Sequence, residues 1–214
     1  MSTDASPVFL TVRGQYLPST LEGLRVLHND TAGSQAGIAA PVVMPQSGAK
    51  EGEVLFMDWW QDPKGLMDFF ANENTQMQGT KLFKGRDATV WMPAKGAFTY
   101  SLPAAANRNE RFVGLIRGPI TSSEKSLSIF RAADVKAQRT ARARGLLSHE
   151  LFIKLNPSED SAPLELLGVD LWCDAKGMGE HSGDPNEMKA LDGAFSGAPT
   201  ASVWSQAPGN WSEW

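Results

Sequence analysis

The sequence predicts an α+β protein built from two tandem βαββαβ repeats, and three observations predict it. The first is an internal duplication, the feature to seek before any local pattern. Residues 53–83 align with residues 165–195: Glu53 meets Glu165, Asp58 meets Asp170, Trp60 meets Trp172, Asp62 meets Asp174, Lys64-Gly65 meets Lys176-Gly177, and Phe83 meets Phe195. After a one-residue insertion, Val90-Trp91 meets Val203-Trp204. Two tryptophan-on-tryptophan matches are improbable by chance in a chain of 214 residues with only 7 tryptophans. The second observation is that each half runs through the same order of strand-like and helix-like segments. The third is composition: 42% hydrophobic and 21% charged residues are the proportions of a globular chain able to build a real core.

The elements follow in order. Residues 8–13 and 111–117 are short, mostly apolar runs that predict the first strand of each half. In the first half a helix follows over 19–33, opened by the capping box Ser19-Thr20-Leu21-Glu22 and stopped by Gly33. Its counterpart covers 124–144, rich in Ala, Lys and Arg, and ends before Gly145. Two strands come next, 38–44 and 54–60 in one half and 149–155 and 166–172 in the other, separated by the polar loops 46–52 and 156–162. A second helix is predicted over 65–81 and 185–194, and a last strand over 88–92 and 200–205. The looser match of Val12-Arg13-Gly14 with Ile116-Arg117-Gly118 places the halves at 1–106 and 107–214, joined through the polar stretch 104–110.

This order is the split βαβ, or ferredoxin-like, unit, with helices on one face of a four-stranded antiparallel sheet. The other face is apolar and needs a cover. The second copy is the economical one, which predicts two sheets packed face to face as an intrachain α+β barrel. A pocket is expected within that barrel or between a sheet and its helices.

Charge and composition exclude several function classes. A net charge of −4 and a pI near 5.4 argue against a nucleic-acid binder. No stretch approaches the roughly 18–20 apolar residues of a membrane span. The polar start of the chain lacks the regions of a signal peptide, and the single cysteine, Cys173, gives no disulfide framework. A bacterial-type cytoplasm is the expected compartment. No GxGxxG or phosphate-binding loop is present, so no nucleotide cofactor is expected, and no histidine spacing predicts a metal site.

The repeated strands Asp58-Trp59-Trp60-x-Asp62 and Asp170-Leu171-Trp172-x-Asp174, each running into a helix, resemble the dimeric α+β barrel superfamily. That group includes antibiotic-biosynthesis-monooxygenase-like, EthD-like and stress-responsive barrel proteins. The resemblance spans nearly the whole chain as a fusion of two copies. It implies a small-molecule enzyme resembling cofactor-independent monooxygenases, acting on an apolar or aromatic substrate. It also implies that the tryptophan of this motif faces the barrel interior. A non-catalytic ligand-binding or stress-related barrel is the alternative, and so is a haem-binding one. A homodimer is also compatible with the group.

Strand alternation puts Asp58 with Trp60, and Asp170 with Trp172, on one face of their strands. Each aspartate is a candidate base or substrate-orienting group, or else half of a structural ion pair with Arg13 or Arg117, which recur on the first strands. His149, expected on the same face as Leu151 and Ile153, is the candidate proton shuttle, because histidine titrates near neutrality. His28 is either a helix C-cap or a pocket residue. His181 belongs to a surface loop or a gate. Trp60, Trp172, Trp91 and Trp204 are symmetric core or the walls of an aromatic pocket, to which Arg13 and Arg117 would add polar contacts. Cys173 is expected to pack, and the basic residues of 136–144 to form a solvated helix face.

Overall fold

The computed structural model describes residues 7–17, 53–61, 63–101, 111–155 and 163–205. The helix expected over 19–33 with His28, the strand over 38–44, and the joint at 104–110 lie outside the described residues. The chain falls into two compact units, the first reaching Met92 and the second running from Pro93 to Ser205.

In the first unit the described strands are β1 (Val8–Tyr16), β2 (Glu53–Trp60) and β3 (Phe83–Pro93). They form an antiparallel sheet in the order β2-β1-β3. Helices α1 (Pro63–Ala71) and α2 (Glu73–Leu82) lie between β2 and β3. The single helix expected over 65–81 is therefore two. Asn72 breaks it, accepting with its side chain from the backbone N–H groups of Asn74 and Thr75 and so starting a new helix as its N-cap.

The second unit holds β4 (Tyr100–Ser101), β5 (Phe112–Pro119), α3 (Ser123–Ala143), β6 (Leu146–Lys154), β7 (Glu165–Trp172), α4 (Ala175–Ser182), α5 (Pro185–Ala190) and β8 (Thr200–Ser205). Its sheet order is β6-β7-β5-β8, with β4 paired to β6. Helix α3 starts at an N-cap serine, Ser122, and stops at Gly145, whose φ of 99° only glycine adopts readily. Its buried residues Ser126, Phe130, Ala133, Ala137 and Ala141 recur every three or four positions, one stripe laid on the sheet. Helix α4 is absent from the expected elements. Gly177 and Gly179 weaken its helical pattern, but Asp174 caps it by accepting from the N–H groups of Lys176 and Gly177. The helix expected over 185–194 shortens to α5, which Asp184 caps.

The two units share one register. Val8 pairs with Trp60 and Phe112 with Trp172; Leu10 pairs with Asp58 and Gly114 with Asp170; Phe9 pairs with Trp91 and Val113 with Trp204. Because side chains alternate along a strand, this register sorts the tryptophans. Trp60 and Trp172 occupy the helix-covered faces. Trp60 clusters with Leu66 and Phe69 of α1, and Trp172 with Ala141 of α3 and Met178 of α4. Trp91 and Trp204 lie on the opposite faces, fully buried. The expectation that the motif tryptophan faces away from the helices is thus corrected: the side chains of Trp60 and Trp172 point toward them.

The arginine–aspartate pairs are corrected for the same reason. Arg13 lies opposite Leu55 and Arg117 opposite Leu167, on the faces that Asp58 and Asp170 do not share. Each arginine instead meets the glutamate on its own face. Arg13 Nη2 is 2.6 Å from Glu53 Oε2, and Arg117 Nε is 2.6 Å from Glu165 Oε2. Lys154 adds a second cation to Glu165. These pairs are partly exposed, so each contributes modestly to stability.

Asp58 is left on the helix-covered face at 6% exposure. Burial, with no compensating partner among the described residues, pushes its carboxyl well above the usual carboxylate range. The folded state therefore holds this proton more tightly than the unfolded chain. The resulting stability is full below the ordinary aspartate pKa and is lost as pH rises through the raised one. Asp58→Asn is expected to melt above the parent at pH 8 and to remove this part of the pH dependence. A Tm difference that is the same at pH 4 and pH 8 would refute it.

Candidate active site

Three chain segments bring a buried charge cluster together in the second unit. Strand β6 supplies His149, the directly opposed residue on β7 is Asp170, and α3 supplies Asp134 from above. His149 Nδ1 donates to Asp170 Oδ1 at 2.6 Å. Its Nε2 lies 3.1 Å from Asp134 Oδ2, close enough for a charge contact though poorly aligned for a hydrogen bond. The side chains of His149 and Asp134 are 9% and 16% exposed, while Asp170 keeps 30%. The cluster is thus most buried at His149, with Asp134 partly covered behind it and Asp170 the end that solvent reaches most.

Burial by itself would drive the imidazole to its neutral form. The charge of Asp170, the close contact of Asp134, and the hydrogen bond with Asp170 outweigh burial and raise the His149 pKa from 6.5 to about 10. His149 is therefore an imidazolium at neutral pH. His149, expected as the proton shuttle, is held in this arrangement as a cation between two carboxylates. His149 engages Asp170 through Oδ1, and of its two carboxylate partners Asp170 is the more exposed.

Trp172 stands two positions from Asp170 on the same face of β7. Its ring lies 5.3 Å from the His181 ring at 42°. Trp60 and Phe69 hold the same arrangement in the first unit, 5.3 Å apart at 43°. His181 thus sits in α4 as an aromatic packing partner, not in a loop. Of the other expected site residues, Asp58 is sealed in the first unit, Trp91 and Trp204 pack on the opposite sheet faces, and Arg13 and Arg117 pair with glutamates. Asp134 was missed: a lone aspartate in an amphipathic helix reads as surface, and only the tertiary approach of α3 to β6 brings it to His149.

Haem, implied by part of the resembled group, needs an unprotonated imidazole nitrogen. His149 has a carboxylate against each nitrogen and does not fit. Among the described residues no group of three or more His, Cys, Asp or Glu side chains could hold a metal ion. No described helix is long and apolar enough to cross a membrane.

The protonated histidine contributes stability that is fully present below pH about 6.5 and lost as pH rises through about 10. Histidine-selective ¹⁵N NMR is expected to find both ring nitrogens of His149 protonated at pH 8. His149→Ala leaves two aspartates facing each other's charge and is expected to cost about 3 kcal/mol or more in a denaturant titration. A neutral imidazole at pH 8 would contradict the assignment.

No family model matches the chain, and no curated protein matches it. Solved structures do. An anthrone oxidase-like protein superposes with a TM-score of 0.68 at 10% identity, covering 98% of this chain and 94% of that one. A proposed monooxygenase from Fusobacterium nucleatum gives 0.64 at 10% identity over 96% of each chain. A ferredoxin-fold protein from Listeria monocytogenes related to antibiotic biosynthesis monooxygenases gives 0.53 at 11% identity over 95% of each. At such identities the likeness is one of fold: over nearly its whole length the chain has the ferredoxin-like α+β fold of antibiotic-biosynthesis-monooxygenase-like proteins.

Proposed function

We propose that this chain is a monooxygenase-like enzyme that oxidises a small apolar or aromatic molecule with dioxygen and no organic cofactor. The observation that carries the reading is Asp170, a carboxylate pinned by a buried imidazolium yet still 30% exposed on its outer side. A carboxylate fixed by a cation behind it and open in front is built to meet something.

In this reading an activated C–H or O–H of the substrate gives its proton to Asp170 Oδ2. His149 holds the carboxylate in place, and Asp134 balances the histidine from behind. The indole N–H of Trp172 is the neighbouring donor for the oxyanion or enolate left on the substrate. That anion is electron-rich and reduces dioxygen directly. For a substrate RH₂ the overall change is RH₂ + O₂ → RO + H₂O, which needs no further reductant. Apolar packing around the indole supports the reading by limiting water near the anion.

Oxygen uptake with anthrone as probe tests it. Asp170→Asn is expected to lower the rate at least about 10²-fold, the lower end of a general base's contribution. Anthrone-dependent uptake that is absent from the parent, or equal in Asp170→Asn, would overturn the proposal.

A further inference from the structure

We infer that Gly114 is a specificity-determining position, an omitted side chain whose place is taken by the edge of the ligand. The inference rests on the function proposed above, and deepens it. Gly114 lies mid-strand in β5, paired with Asp170 of β7 on one side and Val203 of β8 on the other. A glycine there weakens the strand, and such glycines recur at bulges, at close backbone approaches, at tight bends and beside ligands.

The first two explanations fail. The register of β5 runs without a shift on both sides of Gly114, and its φ lies outside the left-handed region. Nor is it crowded. A Cβ added at Gly114 would meet nothing closer than 3.8 Å, the distance to both Asp170 Cβ and Trp172 Nε1. Two other glycines of this sheet supply the contrast. A Cβ at Gly118 would come within 2.6 Å of Phe195 Cδ1, and one at Gly168 within 2.9 Å of Ile116 Cγ2. Those two are glycine because neighbours fill their side-chain space; Gly114 is not.

The first unit is an internal control. The residue paired with Asp58, where Gly114 pairs with Asp170, is Leu10, buried at 2%. The same fold therefore accepts a leucine at this register and packs it beneath the helices. In the second unit the position that leucine takes carries no side chain, and an added Cβ there would touch Asp170, an acceptor, and Trp172 Nε1, a donor, at ordinary contact distance. The ligand matched to it is a flat ring edge carrying a hydrogen-bond donor toward Asp170 and electron density toward the indole N–H.

The test uses 1-naphthol as probe, the Trp172 indole N–H signal in ¹⁵N–¹H NMR as the binding readout, and thermal melting of the same proteins. In the parent, 1-naphthol shifts the Trp172 signal. Gly114→Ala is expected to raise Tm by about 1–4 °C, since the added methyl meets only ordinary contacts and the unfolded chain loses freedom. It is also expected to weaken 1-naphthol binding at least about tenfold, the effect of one misplaced carbon in a fitted pocket. Gly114→Leu abolishes the shift. Gly179→Ala, at an exposed and uncrowded helix position, leaves the affinity at the parental value. Unchanged affinity in Gly114→Ala, or a parental Trp172 signal indifferent to 1-naphthol, overturns the inference. Oxygen uptake that depends on Asp170 would stand through either result. A Trp172 response without any uptake would instead sink the oxidase reading and keep the site.

Discussion

The second unit depends on a buried imidazolium held between two carboxylates. A charge taken out of water is expensive, and a paired one is tolerated only when geometry supplies what water did. Here the geometry comes from three different elements. Strand β6 carries the cation, β7 carries one anion directly across the ladder, and α3 lowers the other onto the imidazole. Each element must therefore sit in register for the charge to be compensated. The cluster fixes the approach of α3 to the sheet as surely as the apolar stripe of Phe130, Ala133, Ala137 and Ala141 does. A carboxylate at each nitrogen favours the charged imidazole, and of the two partners Asp170 is the more exposed.

The first unit carries the same strand pair without that compensation. Asp58 lies opposite Leu10 as Asp170 lies opposite Gly114. Among the described residues nothing answers its charge, and the carboxyl responds by holding its proton. Two equivalent aspartates thus meet burial differently: one is paired with a cation, the other has its carboxyl pushed up by burial.

Much of the fold was legible in the sequence because it is written in local terms. The Glu–x–Leu–x–x–Asp–x–Trp pattern of 53–60 and 165–172 marked β2 and β7. The Ala-rich stripe before Gly145 marked α3 nearly to the residue. Helix breaks were less legible. Asn72, Asp174 and Asp184 all start helices through their side chains, but a polar residue inside a helical run reads equally well as a surface position. The site was legible in its members on the strands, His149, Asp170 and Trp172, and illegible in Asp134. Nothing within α3 distinguishes that aspartate from a solvated one.

The misassigned ion pairs have a sharper cause. Arg13 and Asp58 recur together in both halves, and the first and third strands are neighbours, so pairing them looks natural. Adjacency of strands does not decide which face a side chain takes; register does, and a shift of one residue reverses every face. The pairing of Leu10 with Asp58 puts Arg13, three residues on, behind the sheet from the aspartate. Glu53, five residues before Asp58, falls on the arginine's face and takes it. The glutamates were present in the repeat from the start, as Glu53 and Glu165. Two acids per strand of opposite parity cannot both meet one arginine. The parity that assigns the glutamates to structure is the same parity that turns Asp170 toward the histidine and Gly114.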